Sequence, residues 1–291
     1  MVVGRLAPSP TGSLHLGNVR TFLWAWLSAR SQGGRVILRI EDLETNRVKP
    51  GACERLVEEL AWLGFDWDEG PVRQTERRDR YRALFPKLDA YPCACSRADL
   101  EQAAPHEGDA EPRYPGTCRE HPPPVARSWR FRVEPGVLAF DDLLSGRHEI
   151  DVAGTVGDFV VAKSPDDPAY QFAVVADDIA MGVTEVVRGD DLIPSTARQI
   201  LLYRKLGAPV PAYGHVPLVV GPDGKRLAKR HGDGRISTYR ARGVAPERVI
   251  GAVARWSGFD VTAARPADLV GRWSWDRPRE RVVLTPDRFR L

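Results

Sequence analysis

The sequence predicts an α/β fold, and three observations carry that prediction. Val2-Val3 with Leu6 and Ala7 reads as a short buried strand that Pro8 and Pro10 end, and apolar positions at Leu14, Val19, Phe22, Leu23, Trp26 and Leu27 start a helix close to His15. Arg35 to Ile40, after a Gly33-Gly34 turn, is a second strand that completes a β-α-β unit. Beyond a β-rich stretch, Val186-Val187 ends in Arg188-Gly189 and a helix follows, which brings the same alternation back.

The first corner, Arg5 to Arg20, is the most informative. Thr11-Gly12-Ser13 is a turn with capping hydroxyls, and the helix start offers backbone N–H groups and a positive dipole end to an anion. His15 and Asn18 stand three apart on the first turn, with Gly17 between them to let a flat ligand approach the backbone. A nucleotide phosphate suits such a corner; the plain alternative is a structural turn, which is common in this fold class.

In chain order, Glu41 follows the second strand at a crevice position where a carboxylate can hold an ammonium group. Gly51 to Leu63 is an amphipathic helix, and residues 65 to 71 read as a loop. Arg77 to Phe85 is a helix with a solvated basic face. Cys93, Cys95 and Cys118 cluster around a polar loop, as thiolates do around a structural metal, with His106 and His121 as generic candidates for a fourth ligand; three buried thiols without metal is the other reading. Trp129 to Val133, His148 to Val152 and Val156 to Ala162 are strands of an inserted α+β block. Arg188, at the carboxyl end of its strand, is placed to fork onto a carboxylate or to serve as a structural ion-pair partner. Ser195 caps a helix to Leu206, His215 to Val220 is a strand, and a glycine turn leads to the basic run Lys225 to Arg230. A short helical tail from Pro246 closes the chain.

The 291 residues are 43% hydrophobic, and Lys+Arg 42 against Asp+Glu 39 leaves a net charge of +3. That balance suits a globular protein and permits an RNA partner without requiring one. The sequence has no long apolar run and no charged-then-apolar amino end, so a cytoplasmic chain without a membrane span is expected.

Several of these stretches resemble the class I aminoacyl-tRNA synthetases. His15-Leu16-Gly17-Asn18 is similar to their HIGH-type signature, and Arg5 to Gly12 to its glutamate branch. Arg39-Ile-Glu-Asp-Leu-Glu44 resembles R-x-E-D-x-D, with Glu44 in place of the last aspartate. Tyr170 to Asp178 and Arg188 to Leu192 are similar to the family's pocket segments, and Arg226-Leu-Ala-Lys-Arg230 to its KMSKS-type loop, with Arg226 and Ala228 as departures.

The resemblance implies a Rossmann-type nucleotide-binding fold with an inserted zinc-containing acceptor-binding block. Its parts are expected at 1–90 and 184–235 for the catalytic halves, 91–183 for the insertion and 236–291 for the helical tail. It further implies glutamate binding by Arg5, Ala7, Ser9, Glu41, Tyr170 and Arg188. ATP, with Mg, falls to His15, Gly17, Asn18, Arg226 and Lys229, of which His15, Asn18 and Lys229 are catalytic. Cys93-x-Cys95 followed by Tyr114-Pro-Gly-Thr-Cys118 resembles a short-synthetase zinc motif in which the tyrosine oxygen is a ligand, with His121 in reserve. The implied insertion reaches a tRNA near Asp158 to Lys163.

The chain ends soon after the basic loop, where an anticodon-binding domain is expected in ordinary glutamyl-tRNA synthetases. With the C-x-C and Y-x-G-x-C cluster, this resembles the glutamyl-Q tRNA(Asp) synthetases, which attach glutamate to queuosine in the anticodon of tRNA(Asp). A monomer is expected. The alternatives are an enzyme charging tRNA(Glu), a non-catalytic paralogue that binds glutamate or RNA, and a nucleotidyltransferase acting on a small acid.

Overall fold

The computed structural model describes residues 1–96, 98–100, 113–224 and 234–285. Strand β1 (Val3–Leu6) leads into helix α1 (Leu16–Ser31), and β2 (Arg35–Ile40) returns parallel to β1. Helix α2 (Ala52–Trp62) follows, stopped by Gly64 at a φ of +85°, which suits glycine after a helix end. The stretch read from sequence as a loop is in part strand β3 (Glu69–Arg73), parallel to β2 through a cis Gly70-Pro71 bond. Glycine and proline argued against a strand there; at the sheet's outer edge the ladder hydrogen bonds that Pro71 cannot make are not needed.

After α3 (Arg78–Leu84), the strands β4 (Tyr91–Cys93), β5 (Ser128–Phe131), β8 (Phe159–Ser164) and β9 (Asp167–Pro168) form a separate antiparallel sheet in that order. Between them, β6 (Val137–Asp142) and β7 (Gly146–Asp151) make a hairpin, and α4 (Val152–Thr155) is a single turn. The hairpin leaves the antiparallel sheet and joins the next one, where Tyr213 pairs with Asp142.

Helix α5 (Tyr170–Met181) brings the chain to β10 (Glu185–Gly189), α6 (Ile193–Lys205) and β11 (Ala212–Val216), with β11 parallel to β10. Val3 N–H donates to Thr184 Oγ1 at 2.9 Å and Thr184 N–H to the Val3 carbonyl at 3.0 Å, so β10 lies beside β1. The layer therefore runs β3-β2-β1-β10-β11, the doubly wound order in which ligands sit at the carboxyl ends where the direction reverses. Helix α6 starts two residues before Ser195, because Pro194 in its first turn lacks the N–H that would be unpaired there; the Ser195 hydroxyl accepts from Gln171 instead of capping.

Pro217 divides the expected 215–220 strand, and Val219–Val220 (β12) pairs with Val282–Val283 (β13) of the tail. Helices α7 (Ile236–Ala241) and α8 (Pro246–Arg255) precede a 3₁₀ turn at Pro266–Arg272 and β13. The tail packs on α1: Trp273 and Trp275 meet Trp24 edge-on with centroids 5.3 and 6.1 Å away. Trp275 also covers Gly214, where a Cβ would fall 2.2 Å from the indole. Among the described residues no helix is long and apolar enough to cross a membrane.

Candidate active site and metal centre

His15 is the residue that caps α1. Its Nδ1 accepts from Asn18 N–H at 3.3 Å, and its own N–H donates to Asn18 Oδ1 at 3.2 Å, a reciprocal box that fixes both side chains. The anion site expected at this helix end is narrower than the sequence implied. Leu16 N–H donates to the Gly234 carbonyl at 3.1 Å and Asn18 N–H to His15, which leaves the Gly17 N–H. Gly17 has a second reason to be glycine: a Cβ would stand 3.2 Å from the His15 ring. Arg226 and Lys229 lie outside the described residues, but the chain re-enters at this corner, where Arg235 bridges His15 and Ile236 N–H donates to the Leu14 carbonyl at 2.8 Å. Glu59 of α2 braces the turn, accepting from Ser13 Oγ at 2.6 Å and Leu14 N–H at 2.9 Å.

The residues expected around glutamate converge at the carboxyl ends of β1, β2 and β10. Glu41 N–H donates to the Pro8 carbonyl at 3.0 Å, which brings half-buried Ala7 and exposed Ser9 to the end of β2. Arg5 is buried; its Nη1 donates to the Val187 carbonyl at 3.0 Å, while its Nε has no hydrogen-bond partner and stands 3.8 Å from Asp178. Arg39, fully buried, spans Asp178 at 2.5 Å and Glu41 at 3.4 Å. Burial pushes the Glu41 carboxyl above its usual range against the pull of Arg39 and Arg5, so an incoming cation would be welcome beside it. Tyr170, 41% exposed at the start of α5, sits at the mouth within the field of Glu41, Arg188 and Arg5.

Arg188 is held without an acid. Its Nε donates to His215 Nε2 at 3.2 Å, its Nη1 to Gln199 Oε1 at 2.8 Å, and its Nη2 to Thr196 Oγ1 at 2.7 Å and the Leu192 carbonyl at 3.3 Å. No ion pair reaches it among the described residues, so the structural salt-bridge alternative fails for this buried guanidinium. With four of its five N–H groups engaged, one on Nη1 remains for a ligand.

Sequence reasoning missed several partners. Asp177 accepts from Arg77 at 2.5 Å, Gln74 at 2.8 Å and the Tyr81 hydroxyl at 2.8 Å, so the α3 face expected to be solvated gives one arginine to the interior. Asp178, His215 and Gln199 complete the pocket floor. The signal available was the adjacent acid pair in an otherwise apolar helix, since buried carboxylates demand cations.

The three cysteines meet on the antiparallel sheet, their sulfurs all within 4.8 Å of one another. Cys95 and Cys118 are 3.7 Å apart, close to the roughly 3.8 Å that two thiolates at about 2.3 Å from a tetrahedral zinc would show. Tyr114 Oη lies 3.6 Å from Cys93 Sγ and accepts from Cys118 N–H at 2.8 Å, placing an oxygen beside the sulfurs. Arg130 donates to Cys93 Sγ at 3.3 Å and covers the Tyr114 ring at 3.8 Å. Burial opposes the Cys93 thiolate, but hydrogen bonds from Tyr114 and Arg130 prevail and bring the thiol to about 7. The donor set fits a closed, structural ion. His121 is exposed and takes no part in the cluster, and His106 lies outside the described residues.

A family model described as tRNA synthetases class I (E and Q), catalytic domain, matches residues 1–266. The chain is 48% identical to the glutamyl-Q tRNA(Asp) synthetase of Symbiobacterium thermophilum, over 98% of this chain and 96% of that protein. It is 45% identical to the protein of the same name from Rhodopirellula baltica, over 98% and 97%. Among solved structures, the glutamate-tRNA synthetase of Elizabethkingia anophelis superposes with a TM-score of 0.85 at 29% identity, over 99% of this chain and 69% of that one.

Proposed function

The chain belongs to the class I tRNA synthetases of the E and Q branch, among the glutamyl-Q tRNA(Asp) synthetases, and from that premise we propose that it activates L-glutamate with ATP and transfers it to queuosine in tRNA(Asp). The observation that carries this reading is the pair of buried guanidiniums, Arg5 paired only loosely with Asp178 at 3.8 Å and Arg188 with no acid in contact, near the Glu41 carboxylate. Two cations and one carboxylate are the complement of glutamate's two carboxylates and its ammonium. Arg5 contributes its buried charge, and Arg188 contributes its charge and one remaining N–H.

The glutamate α-carboxylate attacks the α-phosphorus of ATP, pyrophosphate leaves, and a queuosine hydroxyl then attacks the adenylate carbonyl and releases AMP. No side chain forms a covalent intermediate. His15, Asn18, the Gly17 N–H and Lys229 orient the triphosphate and stabilise the charge that shifts to pyrophosphate, and magnesium bound with ATP would add charge neutralisation. Cys93, Cys95, Cys118 and Tyr114 hold a zinc ion whose contribution is structural, since four protein ligands leave no open position.

The test is pyrophosphate exchange with glutamate and no RNA, followed by transfer of labelled glutamate to tRNA(Asp) with and without queuosine. Exchange and queuosine-dependent transfer are expected, and Lys229→Ala should slow exchange by orders of magnitude while leaving the melting temperature unchanged. Transfer to tRNA(Glu) instead would overturn the acceptor, and absence of exchange would overturn the enzyme.

A further inference from the structure

Arg188 is a buried cation with no carboxylate in contact among the described residues. Such a group ordinarily contacts a carboxylate, because the cost of removing a charge from water is otherwise unmet. Here an acid is reached only through a second side chain. Asp142 Oδ2 accepts from His215 Nδ1 at 2.7 Å, and His215 Nε2 accepts from Arg188 Nε at 3.2 Å. The order of the chain is set by chemistry: a carboxylate only accepts and a guanidinium only donates, so the imidazole between them must carry its proton on Nδ1.

We propose that Asp142 and His215 are positioning residues for Arg188, a carboxylate-imidazole relay that orients the guanidinium toward the substrate's carboxylate without placing a competing anion against it. The inference rests on the reading of Arg188 as a glutamate ligand. Its geometric basis is that every part of the relay is fixed. Asp142 Oδ1 accepts from Leu144 N–H at 3.0 Å, Ser145 N–H at 2.9 Å and Ser145 Oγ at 3.0 Å. The His215 ring lies parallel to Tyr213, 7° from coplanar with centroids 6.1 Å apart, and Tyr213 in turn underlies Arg188 at 5.3 Å. Thr196 Oγ1 bridges the far side, 3.0 Å from His215 Nε2 and 2.7 Å from Arg188 Nη2. An aspartate in direct contact with Arg188 would hold the guanidinium equally still but would repel the ligand; a neutral ring holds it and leaves the charge for the substrate.

Asp142 belongs to the β6-β7 hairpin, so a segment of the insertion reaches through β11 to the amino-acid pocket. Asp142→Asn isolates the relay. Both Asp142 oxygens accept, so one end of the amide must present N–H where a donor already stands. Facing Nδ1, that N–H drives the ring proton to Nε2, against Arg188 Nε–H.

The measurement is steady-state pyrophosphate exchange on the full chain, with KM for glutamate and for ATP read separately. Asp142→Asn is expected to raise the glutamate KM at least tenfold with the ATP KM and kcat within twofold. His215→Gln keeps an acceptor near the Nε2 position and should raise the glutamate KM by no more than about threefold; in that background Asp142→Asn should add nothing. Equal losses in both KM values and kcat, or an Asp142→Asn penalty that persists in His215→Gln, would overturn the relay in favour of a purely structural role. Arg188→Ala separates the two levels: if it leaves the glutamate KM unchanged the pocket reading fails, whereas if it raises that KM and Asp142→Asn does not, only the relay fails.

Discussion

At the scale of single residues, Gly17 shows how little separates a cap from a catalyst. Gly17→Ala should help the helix by up to about 1 kcal/mol through propensity, yet its Cβ would press on the His15 ring from 3.2 Å. The expected outcome is an unchanged or higher melting temperature with pyrophosphate exchange reduced at least tenfold. Asp142 makes a different prediction. Burial works against its carboxylate, but the bonds from His215 and the turn bring it from 3.8 to about 2. A depressed carboxylate stabilises the fold above its ordinary range and loses that contribution as pH falls through the folded value. The stability gap between the chain and Asp142→Asn should therefore narrow between pH 3.8 and about 2, as measured by urea unfolding. The sequence made Glu41 and Arg188 candidates because each stands at the carboxyl end of a strand at the crevice, whereas Arg5 and Tyr170 were implied only by the resemblance of their segments. It hid His215, Gln199 and Asp178, whose meaning lies in partners up to 139 positions away, as between Arg39 and Asp178.

At the scale of elements, regular periodicity was readable and interrupted backbone was not. Helices α2 and α8 carry clean apolar stripes and α1 is apolar on most sides, whereas β3 contains Gly70-Pro71 and takes its strand identity only from lying along β2. Of the β6-β7 hairpin only β7 was legible, from the alternation at His148 to Asp151, and nothing local says which sheet the pair joins; Asp142 and Tyr213 settle that through a contact of long sequence separation. The cysteine cluster belongs at this scale, since it ties β4 to the segment carrying Tyr114 and Cys118. One zinc per chain is expected by elemental analysis, and its removal with a chelator should lower the melting temperature by several degrees. Because the cluster lies on the antiparallel sheet, apart from the parallel layer that carries the pocket, the glutamate KM should stay within twofold while the sheet remains folded.

Across the whole molecule, the tail is an integral part of the catalytic layer. Ser257, fully buried, accepts from Trp24 Nε1 at 2.7 Å and Arg20 Nε at 3.3 Å while donating to the Val253 carbonyl at 2.8 Å. Arg20 also donates to the Pro217 and Trp256 carbonyls, so one buried cation joins α1, the end of β11 and α8. Ser257→Ala strands two donors and should cost about 1–3 kcal/mol in urea unfolding, with kcat unchanged once folded. The pairing of Gly234 and Arg235 with residues 15 and 16 has a consequence of another kind. Five peptide units separate Lys229 from that anchor, a span of at most about 18 Å, so in its proposed role the ammonium would act as a tethered reagent with an effective concentration at the His15 corner on the order of millimolar or above. A free alkylamine offered to Lys229→Ala must reach that concentration before it can begin to stand in for the missing side chain.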